Sequence, residues 1–112
     1  MIAVSATDLD DKVYRNANRG KYIAIAAPGV DILVPAPDGG YQLTTGTSVA
    51  AAHISGVVAL LKERNPQLRS ADVRNILSIS AKNIGPVRTD IGAGLVDPVQ
   101  ALTKAGPAVA VR

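Results

Sequence analysis

Residues 46–56 read Gly-Thr-Ser-Val-Ala-Ala-Ala-His-Ile-Ser-Gly, and they open the longest segment of helical character in the chain. The segment runs from about 47 to 64, is nearly all small or apolar as far as residue 61, and ends in a charged turn before Asn65-Pro66. A residue that precedes proline is disfavoured in the helical conformation, so the end of the helix is well marked. Because a helix that is apolar on every side is buried on every side, the sequence predicts a central buried helix that its neighbours approach closely.

Apolar runs before this helix predict strands. Residues 2–6 and 22–27 are bounded by polar or turn residues and have the pattern of buried strands, and the polar segment 7–21 between them is typical of a surface loop. Residues 31–34 and 41–44 flank a connection rich in Pro, Asp and Gly, which predicts a hairpin. Strands followed by a long helix indicate an α/β fold.

The remainder of the chain predicts two more helices around a short strand. The first begins after Ser70 as its N-cap and continues to Gly85-Pro86, with apolar residues at helical spacing. Residues 92–96 predict a short strand whose glycines permit close backbone approach. Asp97 caps the last helix, which ends at Gly106-Pro107.

Composition excludes several classes of protein. The chain has 112 residues, so it is one small domain or part of one. It has no cysteine and one histidine, which excludes disulfides and thiolate zinc sites and leaves too few ligands for an imidazole metal site. We therefore expect no metal and no cofactor. No apolar run approaches the roughly 18 residues that a membrane span needs, and the acidic stretch 8–11 is unlike the start of a signal peptide.

The net charge of +3 does not indicate a nucleic-acid partner. The 12 basic residues are scattered along the sequence with no Lys/Arg-rich stripe, and 3% of the residues are aromatic. Without a basic stripe and with few rings for base stacking, we expect a solvated surface of mixed charge.

Ser48 stands where a nucleophile is chemically well placed. It lies in the first turn of the predicted central helix, where unpaired backbone amides and the helix dipole favour negative charge. A hydroxyl that attacks a carbonyl carbon there has oxyanion donors beside it, including its own backbone N–H. Taken alone, the position also fits a simpler role in which Thr47 or Ser48 only caps the helix.

The full stretch of residues 46–56 decides between the nucleophile and the helix cap. It resembles the active-site serine motif of the subtilisin-like serine proteases, G-T-S-x-A-x-P-H-V-x-G, although Ala52 stands at the usual proline. Three further segments resemble family segments in order and spacing: residues 2–6, residues 27–30 (A-P-G-V) and residues 92–97. The residues that match the serine motif by position are Gly46, Thr47, Ser48, Ala50, His53 and Gly56.

The resemblance implies the fold and the chemistry. Residues 1–112 would form the C-terminal part of a peptidase domain with a three-layer α/β/α fold and a mostly parallel sheet. Ser48 would be the nucleophile that forms the acyl-enzyme, with its backbone N–H in the oxyanion hole, and Thr47 would support the site. The family also needs an aspartate and a histidine base earlier in the chain, and no histidine precedes Ser48. We therefore expect the intact parent to be a serine endopeptidase and this chain alone to be inactive.

Neither His53 nor a lysine is expected to replace the missing base. Five residues along a helix correspond to about 140° around the axis and about 7.5 Å along it, so Ser48 and His53 point apart. The resemblance implies a structural role for His53, together with Gly46 and Gly56, and a core histidine is also the ordinary interpretation. A Ser–Lys pair is the alternative, but Lys62 lies about four turns beyond Ser48.

Other expectations concern metals, partners and location. Some family members bind a cation through acidic residues before A-P-G, where this chain has Tyr22 and Ala24, so no metal is expected there. Substrate-binding residues are expected before residue 1 and are not predicted. The resemblance implies a peptide or protein substrate and a secreted or periplasmic parent. Two alternatives stay open: a non-catalytic dimerising or binding module, associating through an exposed sheet edge, or one half of a two-chain protease.

Overall fold

The computed structural model describes residues 1–106. The apolar runs of the sequence form strands and helices in an α/β arrangement, as predicted. The strands are β1 (Ala3–Thr7), β2 (Ile23–Pro28), β3 (Ile32–Pro35) and β4 (Tyr41–Thr44). The helices are α1 (Thr47–Arg64), α2 (Ser70–Ser80), α3 (Arg88–Ile91) and α4 (Pro98–Lys104).

The β1 and β2 strands pair in parallel, with Val4 opposite Ile25 and Ala6 opposite Ala27. Since side chains alternate along a strand, these four residues lie on one face of the sheet. That face and the apolar sides of three helices form the hydrophobic core. Members of the core are Ala6, Ile25, Ala27, Ala50, Ile54, Val57, Leu61, Leu68, Val73, Ile76, Leu77, Val96, Ala101 and Ala105.

The predicted strand at 92–96 is reduced to a single bridging residue. Leu95 pairs in parallel with Ala26 on the far side of β2, and it also forms an antiparallel bridge with Lys82. The expected close backbone approach is confirmed, because a Cβ atom at Gly94 would meet the carbonyl of Lys82. Gly94 also has a φ of 132°, which other residues rarely adopt.

The predicted bounds of the central helix are confirmed, but its burial on every side is wrong for the described residues. Only the stripe formed by Ala50, Ile54, Val57 and Leu61 is buried. The reason is that β1, β2 and α4 all contact α1 from that side, and no other element within residues 1–106 covers the remainder. The small residues expected to lie against close neighbours are instead exposed: Ala51, Ala52, Ser55, Gly56 and Ala59.

The α2 helix differs from prediction at both ends. Arg69, rather than Ser70, is the N-cap, and the Asp72 carboxylate accepts its backbone N–H at 2.9 Å. This hydrogen bond, aided by the Arg69 guanidinium, lowers the pKa of Asp72. The helix ends at Ser80, before the expected stop, because Lys82 pairs with Leu95: the Lys82 N–H donates to the Leu95 carbonyl at 2.8 Å, and the Lys82 carbonyl accepts the Leu95 N–H at 2.9 Å.

The last two helices follow local signals. The short α3 was not predicted, and its last turn closes where the Gly92 N–H donates to the Arg88 carbonyl at 2.8 Å. The Asp97 cap of α4 is confirmed, since its Oδ1 accepts the Gln100 N–H at 3.0 Å. This helix ends beside Gly106, which has a φ of 109°, and Pro107 lies outside the described residues.

The predicted hairpin is confirmed. The β3 and β4 strands pair antiparallel, with Leu33 opposite Leu43 and Pro35 opposite Tyr41. These four side chains share one face, and all of them are exposed. The hairpin thus stands apart from the core and leads directly into the loop before α1.

Gly29 is the point at which both sheets and the start of α1 meet. Its N–H donates to the Thr7 carbonyl at 3.0 Å, and its own carbonyl accepts the Gly46 N–H at 2.8 Å. A Cβ atom on this residue would lie 2.7 Å from both the Ala6 Cβ and the Gly46 carbonyl oxygen. No side chain fits there unless the backbone moves.

Gly29→Ala is expected to lower the free energy of unfolding by about 1–3 kcal/mol, the usual cost of overpacking a close contact. Gly56→Ala is the matched control, because a Cβ atom there meets nothing within 4 Å. In a helix interior that change is expected to raise the free energy of unfolding by about 0.5–1 kcal/mol. Urea unfolding of both variants measures the two shifts, and a neutral Gly29→Ala variant would contradict the close packing at this junction.

Candidate active site

The N-terminus of α1 presents two unpaired amides. Gly46 is the N-cap in an extended conformation, with a φ of 160°, and no side chain caps the helix. The amides of Val49 and Ala50 both donate to the Gly46 carbonyl, at 3.1 and 3.3 Å. Among residues 1–106 the amides of Thr47 and Ser48 have no acceptor, so both are available to an anion or a developing oxyanion.

Ser48 is exposed in the first turn of α1, and Thr47 beside it is half-buried. A Cβ atom at residue 46 would lie 3.4 Å from the Ser48 Oγ, so the glycine leaves the space beside the hydroxyl open. The first turn of the helix contains no acidic residue that would compete for the free amides. The predicted nucleophile and its expected oxyanion donor therefore lie together on an accessible surface.

The loop that carries Ser48 is held from two directions. Gly29 binds the Gly46 N–H, and the Thr45 Oγ1 accepts the Asp31 N–H at 2.9 Å. Asp31 has a φ of 54°, in the left-handed region, which turns the chain from the A-P-G-V segment into the hairpin. Thr45 was not singled out in the sequence, because its partner is 14 residues away and the contact depends on the hairpin register.

His53 does not occupy the core, and the expectation of a buried histidine is wrong for the described residues. Its side chain is exposed, because it lies beside the stripe through which α1 contacts the sheet and faces the side that no element covers. Its separation from Ser48 along the helix is about 7.5 Å, on a different side of the axis, as the spacing predicts. Gly56 is likewise exposed and has no close neighbour at its Cβ position.

The Ser–Lys alternative is also excluded for Lys62. Its Nζ donates to the carbonyls of Leu68 and Pro66, beyond the C-terminus of α1. Fourteen residues of helix place it about 20 Å from Ser48. Within residues 1–106 no three His, Cys, Asp or Glu side chains come together as metal ligands.

The sequence model of the subtilase family, the S8 peptidases, matches residues 1–100. The chain belongs to the subtilase family. Its members are serine peptidases, a class of hydrolases. The string around Ser48 that suggested this family therefore lies inside the matched region.

Individual relatives agree with this assignment. The chain is similar to alkaline elastase YaB from Bacillus sp., with 38% identity over 96 residues, which are 86% of this chain and 25% of the elastase. It is also similar to the crystal structure of MycP1 from Mycobacterium smegmatis, with a TM-score of 0.81, 31% identity, and coverage of 96% of this chain and 32% of that one.

A third relative extends the comparison of folds. Fervidolysin from Fervidobacterium pennivorans, a keratinolytic enzyme related to subtilisin, superimposes with a TM-score of 0.84 and 30% identity over 96% of this chain and 19% of its own. The predicted subtilisin-like α/β fold class is therefore confirmed. The chain spans about a fifth to a third of the length of these relatives. No helix within residues 1–106 is both long and apolar enough to cross a membrane.

Thr45→Val is expected to speed hydrogen exchange of the Asp31 amide by about fivefold, because the hydrogen bond that it loses contributes about 1 kcal/mol. Thr45→Ser retains the hydroxyl and is expected to exchange at the original rate. Amide exchange followed by NMR compares the two. Equal exchange in both variants would show that the Thr45 hydroxyl does not hold the loop.

Proposed function

We propose that this chain is the nucleophile-bearing, C-terminal part of a subtilisin-like serine endopeptidase domain, with Ser48 as the nucleophile. The observation that carries the proposal is the exposed Ser48 hydroxyl beside its own unpaired amide at the N-terminus of α1. A serine placed to cap the helix would accept an amide hydrogen with its side chain, and α1 has no such side-chain cap.

The chemistry follows from these groups. The Ser48 Oγ attacks the carbonyl carbon of a peptide bond, its proton passes to a base, and the carbonyl oxygen becomes an oxyanion that accepts the Ser48 N–H. Cleavage of the C–N bond releases an amine, which takes the proton from the base, and leaves an acyl group on the Ser48 Oγ. Water then hydrolyses the ester and restores the serine. Gly46 and Thr47 support the geometry of this turn.

The base comes from outside the described residues. Ser48 has neither a histidine nor a lysine beside it, and without a base its hydroxyl is a weak nucleophile. In the subtilisin order the aspartate and histidine precede the serine. We infer that this chain is inactive alone and that an N-terminal segment, on the same polypeptide or on a second one, supplies both residues.

Labelling with a fluorophosphonate probe tests the assignment. The 112-residue chain alone is expected to remain unlabelled, and addition of a subtilase segment that carries the aspartate and histidine is expected to give stoichiometric labelling by intact mass. Ser48→Ala is expected to abolish that labelling, because the attacking oxygen is removed. Ser55→Ala, an exposed serine two turns further along the same helix, is the matched control and is expected to label normally.

Either of two results would contradict the proposal. Labelling of the complemented sample that survives Ser48→Ala would place the nucleophile elsewhere. Strong labelling of the chain alone would show that a base reaches Ser48 from within these residues or from a second copy of the chain.

The same proposal covers substrates and location. The substrate class is a peptide or protein, and the parent enzyme is exported to the periplasm or the exterior. Neither a cofactor, a nucleic acid nor a membrane takes part in the reaction, which needs only the serine, its oxyanion donors, the base and water.

A second candidate function is self-association, as a dimerising module derived from the same fold. Within residues 1–106 the outer edge of β1 is bridged by Val13 at its carboxyl end, and the edge along Ala3–Ser5 is unpaired. Small, exposed α1 residues, among them Ala51 and Ser55, line a cavity of about 660 Å³ together with Ile2 and Val4. An unpaired strand next to an apolar helix face favours association with another chain.

Analytical ultracentrifugation over a range of concentrations tests this candidate. We expect a monomer–dimer equilibrium that Ser55→Lys shifts toward monomer by about tenfold in the dissociation constant, because it places like charges at the contact. Ser78→Lys, an exposed serine on α2, adds the same charge elsewhere and is expected to leave the equilibrium unchanged. A monomeric mass at every concentration would rule out self-association of this chain.

A further inference from the structure

A second cavity lies at the opposite end of the parallel sheet from Ser48. Ser48 adjoins the carboxyl ends of β1 and β2, whereas this cavity of about 560 Å³ is lined by Ile23 and Ala24 at the amino end of β2. Its walls are completed by α2 and by the segment around α3. A site at this end is separate from the chemistry proposed for Ser48.

Three cations line the cavity, and no carboxylate does. Lys21, in the loop before β2, Arg74, in α2, and Arg88, in α3, all line it. The Arg74 guanidinium makes one hydrogen bond, from its NH1 to the Met1 carbonyl at 2.7 Å, which leaves its other donors available. Among residues 1–106 none of the three cations forms an ion pair.

The carboxylates nearest in sequence to Arg88 and Arg74 are already engaged in other ion pairs. Asp90 pairs with Arg19 at 3.3 Å, and Asp72 pairs with Arg69 at 3.5 Å. The positive charge of the cavity is therefore not neutralised by its own surroundings. Concentrated like charge in a concave site raises the local concentration of anions.

The remainder of the lining adds neutral donors and an apolar floor. Asn75, Ser78 and Thr89 supply an amide and two hydroxyls. The accessible apolar wall consists of the half-buried Ile2, Ala24 and Ala93 and the exposed Ala71, and the buried Ile23, Ile25 and Leu77 lie behind it. A liquid water molecule takes up about 30 Å³, so the cavity is far larger than an inorganic ion requires.

We propose that this cavity binds an oxyanion carried on an apolar body, with Lys21, Arg74 and Arg88 holding the anionic group and the apolar wall of Ile2, Ala24, Ala71 and Ala93 contacting the apolar part. Guanidinium groups match the planar geometry of carboxylates and the oxygens of phosphates, and both classes share this chemistry. The proposal does not depend on Ser48 acting as a nucleophile.

Isothermal titration calorimetry of the 112-residue chain with phenyl phosphate, benzoate and inorganic phosphate tests the proposal. We expect phenyl phosphate or benzoate to bind at low salt and to weaken as ionic strength rises. The preferred probe distinguishes a phosphate from a carboxylate ligand. Phenyl phosphate is expected to bind at least about fivefold more tightly than inorganic phosphate, because its ring covers the apolar wall.

Charge variants locate the site. Lys21→Gln and Arg88→Gln change exposed side chains, and each is expected to weaken binding by about fivefold. Lys12→Gln, which removes the same charge from an exposed loop outside the cavity, is the matched control and is expected to change binding by less than about twofold. Circular dichroism verifies that every variant keeps its helical content.

Three results would overturn the proposal. One is no binding of any of the three probes by the folded chain. Another is equal affinity for phenyl phosphate and inorganic phosphate, which would remove the role of the apolar wall. The third is equal weakening by Lys12→Gln and Arg88→Gln, which would show that the anion responds only to net charge.

Discussion

The close packing at Gly29 is the constraint on which the described structure depends. Through its N–H this residue ties the end of β2 to β1, and through its carbonyl it holds Gly46 at the start of α1. The Ala6 side chain and the Gly46 carbonyl occupy the space that a Cβ atom would need. Because two strands and a helix converge on one glycine, the position of Ser48 is determined by sheet packing as much as by its own loop.

Features set by neighbours in sequence were predictable. Both bounds of α1 follow from local signals, a glycine before the helix and Asn65-Pro66 after it, and the structure reproduces them. The Asp97 cap and the presence of the hairpin likewise depend on a few adjacent residues. The candidate site was predictable for the same reason, since the motif around Ser48 is contiguous and its amides are free wherever a helix begins there.

Features that depend on distant parts of the chain could not be predicted from the sequence. The exposure of His53 depends on what covers α1, which the helix sequence does not determine. The early end of α2 depends on Lys82 exchanging hydrogen bonds with Leu95, a residue beyond the next loop. The basic residues look scattered in the sequence, yet folding brings Lys21 and Arg88 to one cavity, because strand and helix ends far apart in the chain share one end of the sheet.

The two outer edges of the small parallel sheet differ in how far they are paired. The second edge of β2 is bonded through Ala24 and Ala26 to the segment around Leu95, whereas the outer edge of β1 is bridged at its carboxyl end by Val13 and is unpaired along Ala3–Ser5 within residues 1–106. A single free edge can be matched by the same edge of another copy only about a two-fold axis, with the two β1 strands antiparallel. Such a pairing uses up both edges at once. Growth by this route therefore terminates at two subunits and cannot propagate into a fibre, which requires two complementary open edges on each molecule.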